Sequence, residues 1–160
     1  MAAFVMNQIL GGGGCASRLM EEVREKRGLA YSVYSYLQPY DNASIFAGGV
    51  ATKNDRIAES LTLIRSELKR MADDGPTEEE LKNAKQYLMG SYALRFDTNT
   101  KIAQQLLGIQ LDELGIDYVD TRNQQIASVT IEDVKRAAKR VLAVDNLIVT
   151  VVGQPVGLGE

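Results

Sequence analysis

Arg24-Glu25-Lys26-Arg27-Gly28-Leu29-Ala30-Tyr31 closes one helix and opens a strand, and the fold follows from that corner. Ser17 stands where an N-cap belongs, and Glu21 and Glu22 suit the positive end of a helix over about residues 18–27. Leu19, Met20 and Val23 give that helix an apolar face. Arg24, Lys26 and Arg27 fall in its last turn, where cations meet the negative end of the dipole, and Gly28 is the expected left-handed residue beyond it. Residues 30–38, Ala-Tyr-Ser-Val-Tyr-Ser-Tyr-Leu-Gln, then read as a strand rich in aromatic and β-branched residues.

Working outward, Pro39-Tyr40-Asp41-Asn42 is a turn and Ala43–Thr52 a second strand, together an antiparallel hairpin. Gly48 and Gly49 inside that strand predict a bulge or a close backbone approach. Upstream, residues 2–10 read as the last turns of a helix that Gly11–Gly14 breaks. Downstream the chain is helical. Ile57, Leu61, Ile64, Leu68 and Met71 recur at helical spacing, and Gly75-Pro76 ends that run. Thr77 with Glu80 forms a capping box for a helix carrying Leu81, Ala84, Leu88 and Tyr92. A helix over about 98–114 places Ile102, Leu106 and Ile109 on one face, and a shorter one covers roughly 117–127. Thr130 to Asp133 caps the last helix, with Val134, Ala138 and Val141 inward. Leu147–Val152 is a continuous apolar run, expected to return to the hairpin as a strand buried on both faces. The order implies an α+β fold, a mainly antiparallel sheet with helices packed on one face. The 160 residues fit one domain, 1–160, and the uncapped opening helix with no strand before it predicts a fragment of a longer chain.

Hydrophobic residues make up 45% and charged residues 24%, enough apolar side chains for a real core. A net charge of −3 argues against nucleic acid, which requires clustered Lys and Arg. No apolar run approaches the ~20 residues that span a bilayer, so no membrane partner is expected. The opening residues lack the basic region of a signal peptide, and the compartment is open between bacterial periplasm and cytoplasm. There is no histidine and only one cysteine, Cys15. That removes Ser-His and Cys-His nucleophile systems and leaves no expectation of a metal site in this chain.

Gly11-Gly12-Gly13-Gly14 precedes a helix, yet Cys15-Ala16-Ser17-Arg18 follows where a phosphate loop needs its lysine. A flexible turn, or a loop touching an extended peptide through its backbone, are the readings left. The acidic groups Asp73-Asp74 and Glu78–Glu80 sit at helix ends, where solvated carboxylates are ordinary. Tyr31, Tyr34 and Tyr36 read either as a stacking platform or, as strand tyrosines more often are, as half-buried packing residues, and the acidic balance favours packing. Arg24 and Tyr31 differ in placement: the helix-to-strand corner can aim a guanidinium and a phenol at one point, two donors suited to a carbonyl gaining negative charge. On spacing alone, a surface arginine and a packed tyrosine are the default reading.

Taken in order, Ile9-Leu10-Gly11-Gly12-Gly13, Ser17-Arg18-Leu19, the Arg24–Tyr31 stretch, Gly75-Pro76-Thr77 with Glu80-Leu81, and Leu147–Gly153 resemble the second-domain signature of insulinase/pitrilysin-type zinc peptidases. The family includes the mitochondrial processing peptidase and bacterial zinc proteases. The resemblance covers nearly the whole chain. It implies two homologous halves around a chamber, one carrying H-x-x-E-H with zinc, the other supplying an Arg and a Tyr that bind substrate backbone. Arg24 and Tyr31 match that pair in spacing and context. It also implies a substrate-admitting role for Gly11, Gly12, Gly13 and Gly14, although the run is short here. H-x-x-E-H is absent, so the expected role is the zinc-free, substrate-binding domain of a metallopeptidase, inactive alone. Zinc would lie in a partner domain of the same or another chain, the substrate would be a peptide or unfolded protein, and a homodimer is a further expected state. The alternative is a non-catalytic scaffold like the core-subunit relatives of this family in respiratory complexes.

Overall fold

The computed structural model describes residues 1–158. The first helix, α1 (Ala2–Asn7), does not stop at the glycines. It widens into a π-helical segment, Gln8–Gly12, and a 3₁₀ turn, Gly14–Ala16, follows. The break expected at Gly11 therefore falls two residues later. The reason is packing: Gly11 is buried, and a Cβ there would come within 2.6 Å of the Ser35 backbone nitrogen. The widened turn brings the helix backbone against the strand that carries Ser35, a contact closed to any larger residue.

Ser17 has the extended backbone of an N-cap, φ −84° and ψ 151°, and its carbonyl accepts from Glu21 N. Its hydroxyl, however, donates back to Gly14 O at 2.8 Å, so it braces the preceding turn and does not cap the helix. The second helix is largely π-helical over Met20–Glu25.

The hairpin is β1 (Ala30–Pro39) paired antiparallel with β2 (Ser44–Thr52), in register from Pro39↔Ser44 to Ala30↔Thr52. Its bulge lies between Ala30 and Ser32, not at Gly48-Gly49. At Gly48 the close backbone approach holds, because a Cβ there would come within 2.5 Å of Tyr34 O, while at Gly49 the neighbour is the Tyr34 ring. Side chains alternate. Val33 and Ser35 face the helices and are buried, while Tyr34 and Tyr36 face outward and stack 6.2 Å apart.

Five more helices and two 3₁₀ turns follow among the described residues: α2 (Ile57–Asp73), α3 (Glu78–Gly90), a 3₁₀ turn at Tyr92–Phe96, α4 (Asn99–Leu111), α5 (Tyr118–Ala127), α6 (Ile131–Val141) and a 3₁₀ turn at Val144–Asn146. Both capping boxes form, Thr77 with Glu80 and Thr130 with Asp133. Tyr92 lies beyond the end of α3. α1 packs on α6, β1 and α3, so it runs through the centre, and Val5, Met6, Leu10, Val23, Met71, Leu88, Ile126 and Val134 are fully or almost fully buried around it. Ser35 Oγ donates to Asn7 Oδ1 at 2.8 Å, tying the hairpin to this helix.

Two further expectations fail. α4 buries none of its residues, and Leu106, expected inward, is 51% exposed. Leu147–Val152 is extended but joins no sheet, because the described sheet has two strands only. It is not buried on both faces either: Ile148 and Val152 are almost fully exposed. The architecture is α+β, with an antiparallel hairpin covered by helices on one face.

Candidate functional site

Tyr31 is the extra residue of the β-bulge: Ala30 faces Thr52, Ser32 faces Ala51, and Tyr31 faces nothing. A bulge bends its strand and redirects the side chain it carries. The Tyr31 ring accordingly stands clear of the sheet, 84% exposed.

The corner before it brings Arg24 alongside. Gly28, at φ +61°, reverses the chain, its N–H donating to Arg24 O at 2.8 Å and that of Leu29 to Val23 O at 2.9 Å. The Arg24 guanidinium carbon then lies 5.7 Å from the Tyr31 ring centroid, within cation–π reach. The structure thus brings together the two residues that the spacing singled out.

Arg24 is distinct from the cations beside it. Lys26 Nζ and Arg27 Nη1 donate to the Glu22 carboxylate at 2.7 and 2.6 Å, and hydrogen bonds from Lys26 and Arg27 hold that carboxyl below the usual range. Arg24 has only a loose contact with Glu25, Nε to Oε1 at 3.6 Å. Its Nη1 also lies 3.9 Å from the sulfur of Cys15, an exposed free thiol. Sequence reasoning missed that neighbour. The signal was Gly14, whose φ of +60° turns the Gly14–Ala16 segment back toward the helix that carries Arg24.

Of the glycine run, Gly11 is buried beneath Ser35, whereas Gly12, Gly13 and Gly14 reach the surface. Arg18, from the same stretch, is buried and turns away from Arg24. Its Nε and Nη2 grip Glu80 at 2.5 and 2.7 Å, and Nη2 also donates to Gly75 O at 2.9 Å.

The chain holds no histidine, and among the described residues no three His, Cys, Asp or Glu side chains are placed to share a metal ion. The residues present do not fit zinc. What the corner offers is two hydrogen-bond donors on apolar stems, side by side and facing solvent. In water their hold on a carbonyl is weak, and it strengthens only when a covering surface lowers the local dielectric.

Residues 1–88 match the model of the peptidase M16 inactive domain. The chain belongs to the M16 peptidase family. It is 36% identical over 141 residues to an uncharacterized zinc protease of Streptomyces coelicolor, covering 86% of this chain and 30% of that protein. It is 32% identical over 153 residues to a non-peptidase homolog of Helicobacter pylori, covering 92% of this chain and 34% of that protein. The crystal structure of a peptidase M16 inactive domain from Pseudomonas fluorescens superposes with a TM-score of 0.81 at 38% identity, covering 90% of this chain and 34% of that one. This M16 inactive domain thus spans about a third of the length of the relatives it matches.

Proposed function

We propose that this M16 domain is the substrate-facing, zinc-free part of a longer zinc protease or two-chain assembly, in which Arg24 and Tyr31 together bind the backbone of an extended peptide. The observation that carries this reading is the Arg24–Tyr31 pairing itself, at 5.7 Å and on a bulge that pushes the phenol outward. Packing does not require the pair, since Tyr31 is 84% exposed. An exposed tyrosine with an arginine held over its ring is suited to a ligand carbonyl.

The chain's own contribution is positional. The guanidinium and the phenol hold a substrate carbonyl and remain in place as its oxygen gains negative charge. Zinc belongs to a partner domain carrying H-x-x-E-H, in the same chain or another. The substrate is a peptide or an unfolded protein, because backbone groups are what the two donors recognise. The test is peptide turnover by the assembled enzyme. Tyr31→Phe and Arg24→Ala should each lower kcat/KM while zinc content holds, and unchanged turnover in both would remove the role.

A second reading is a scaffold that keeps the fold without peptidase activity. The Helicobacter pylori relative named a non-peptidase homolog favours it. The neighbouring sequence separates the two readings: H-x-x-E-H in the same or an adjacent reading frame supports the peptidase, and its absence from both supports the scaffold.

A further inference from the structure

Tyr34 and Tyr36 take no part in the Arg24–Tyr31 pair, yet they stand on the same strand and face away from the helices. Both rings are about half exposed, while Val33 and Ser35, which alternate with them, are buried on the other face. The rings are near-parallel, with 20° between their planes and 6.2 Å between their centroids.

Across the ladder each ring meets a small residue, Tyr34 facing Gly49 and Tyr36 facing Ala47. The outer end of the Tyr34 ring rests over Gly49, where a Cβ would come within 3.0 Å of its Oη and 3.2 Å of its Cζ. A glycine at that position is what lets the ring lie there. Ser32, paired with Ala51, continues the row toward Tyr31. This row of six residues holds no carboxylate, ammonium or guanidinium, and Arg24 stands at its Tyr31 end. The outer face of the hairpin is thus a low floor with two aromatic rings raised on it.

We infer that this face selects the substrate's side chains: an extended peptide held at Arg24 and Tyr31 runs along β1 and lays an aromatic or large aliphatic side chain on the Tyr34 and Tyr36 rings. The inference rests on the peptide-binding role proposed for the Arg24–Tyr31 pair and adds a preference to it, since donors to a backbone carbonyl read no sequence. Length fits this occupant. A strand advances about 3.3 Å per residue, so Tyr34 stands roughly 10 Å and Tyr36 roughly 17 Å along β1 from Tyr31. Same-face side chains of an extended peptide recur roughly every 7 Å, so one of them reaches the rings within a few residues of the anchor. Chemistry fits it as well. The rings offer offset stacking to an aromatic side chain and apolar area to an aliphatic one. A charged side chain would lose water over the rings and gain no ionic partner from the row. Tyr34 and Tyr36 are specificity-determining residues in this reading and touch no reacting atom.

Two short Ser/Ala peptides, one with a central Phe and the other with Ala in its place, test this on the full-length polypeptide, with chelator present so that neither is cleaved. Fluorescence anisotropy should give the Phe peptide a roughly tenfold smaller Kd. Tyr34→Ala should bring that ratio down to about twofold or less, and Tyr34→Phe, which keeps the ring, should retain it. Tyr36→Ala carries the same expectation as Tyr34→Ala and serves if the latter fails to fold. Tyr31→Phe and Arg24→Ala should weaken both peptides by the same factor and leave the ratio intact. Equal affinity for the two peptides overturns the inference, as does a ratio that Tyr34→Ala and Tyr36→Ala leave unchanged. Binding of neither peptide, or affinities that Arg24→Ala and Tyr31→Phe do not alter, overturns instead the backbone-binding reading beneath it. The ratio reports on the rings and the common factor on the pair, so the two proposals fail in different ways.

Discussion

Arg18 and Glu80, 62 residues apart in sequence, are joined by two parallel hydrogen bonds, Nε to Oε1 at 2.5 Å and Nη2 to Oε2 at 2.7 Å. Glu80 is also the N3 residue of the α3 capping box, accepting the Thr77 N–H at 2.7 Å through Oε2. One carboxylate thus anchors the helix that precedes the hairpin to the start of α3. Such two-point pairing fixes orientation as well as distance.

Breaking this pair from the arginine side should be costly. Arg18 is only 6% exposed, and Glu80 is 29% exposed. Arg18→Met fills the space but leaves a partly buried carboxylate with only its capping bond, an expected loss of about 3 kcal/mol in urea unfolding. Glu80→Gln keeps a side chain that can reach Thr77 N but strands the buried guanidinium. The double variant should lose less than the sum of the two, and strict additivity would show that the residues do not act as a unit.

The pH dependence of stability should show two opposed limbs. Burial acts to raise the Glu80 carboxyl, but hydrogen bonds from Arg18 and Thr77 outweigh it and hold the group below its ordinary value. Its stabilisation is complete above the unfolded pKa and is lost as pH falls through the lower folded value. Glu67 has the opposite sign. Burial pushes its carboxyl up, and the attraction of Arg70, whose Nη2 lies 2.6 Å from Oε2, offsets this only in part. The folded state therefore gains stability as pH falls through that raised value toward the ordinary one. On acidification from neutral pH, stability should first rise with Glu67 and then fall with Glu80 and Glu22. Glu67→Gln should abolish the rise and add about 1 kcal/mol at neutral pH, checked by thermal unfolding across the range.

Two glycines in helical segments should respond oppositely to alanine. At Gly11 the new methyl would meet Ser35 backbone, which cannot swing aside as a side-chain tip can. Gly11→Ala should destabilise by roughly 1–3 kcal/mol. In α4, a methyl added at Gly108 would have nothing within 4 Å, so Gly108→Ala should stabilise by up to about 1 kcal/mol through helix propensity. Denaturant midpoints of the two variants check both signs.

These contrasts show which features could be read in advance. Thr77 with Glu80 and Thr130 with Asp133 are local devices, complete within four residues, and both form as read. Gly11 looked like a break because its constraint comes from Ser35, 24 positions away, and periodicity carries no trace of that. Leu147–Val152 has a strand's composition and even a strand's alternation, yet a strand also needs a neighbour, which no described residue provides. Leu106 sits at helical spacing with Ile102 and Ile109, but a shared face does not say that anything covers it. At the candidate site, the spacing of Arg24 and Tyr31 was legible, whereas the bulge that isolates Tyr31 and the approach of Cys15 depend on register and on the turn at Gly14.

The role proposed for the Arg24–Tyr31 pair can be tested apart from folding. Tyr31 is mostly exposed and unpaired across the sheet, so Tyr31→Phe removes one oxygen and no core contact. Its melting temperature should match that of the parent. Under the proposed role in an assembled protease, losing this donor to the developing oxyanion should lower kcat/KM by about 100-fold, mainly through kcat. Arg24→Lys keeps the charge but loses the planar fork and the stacked geometry over the ring, so it should recover only part of the activity lost in Arg24→Ala. A rise in KM alone would mean the pair binds ground state and transition state equally. Full recovery by lysine would reduce Arg24 to a point charge.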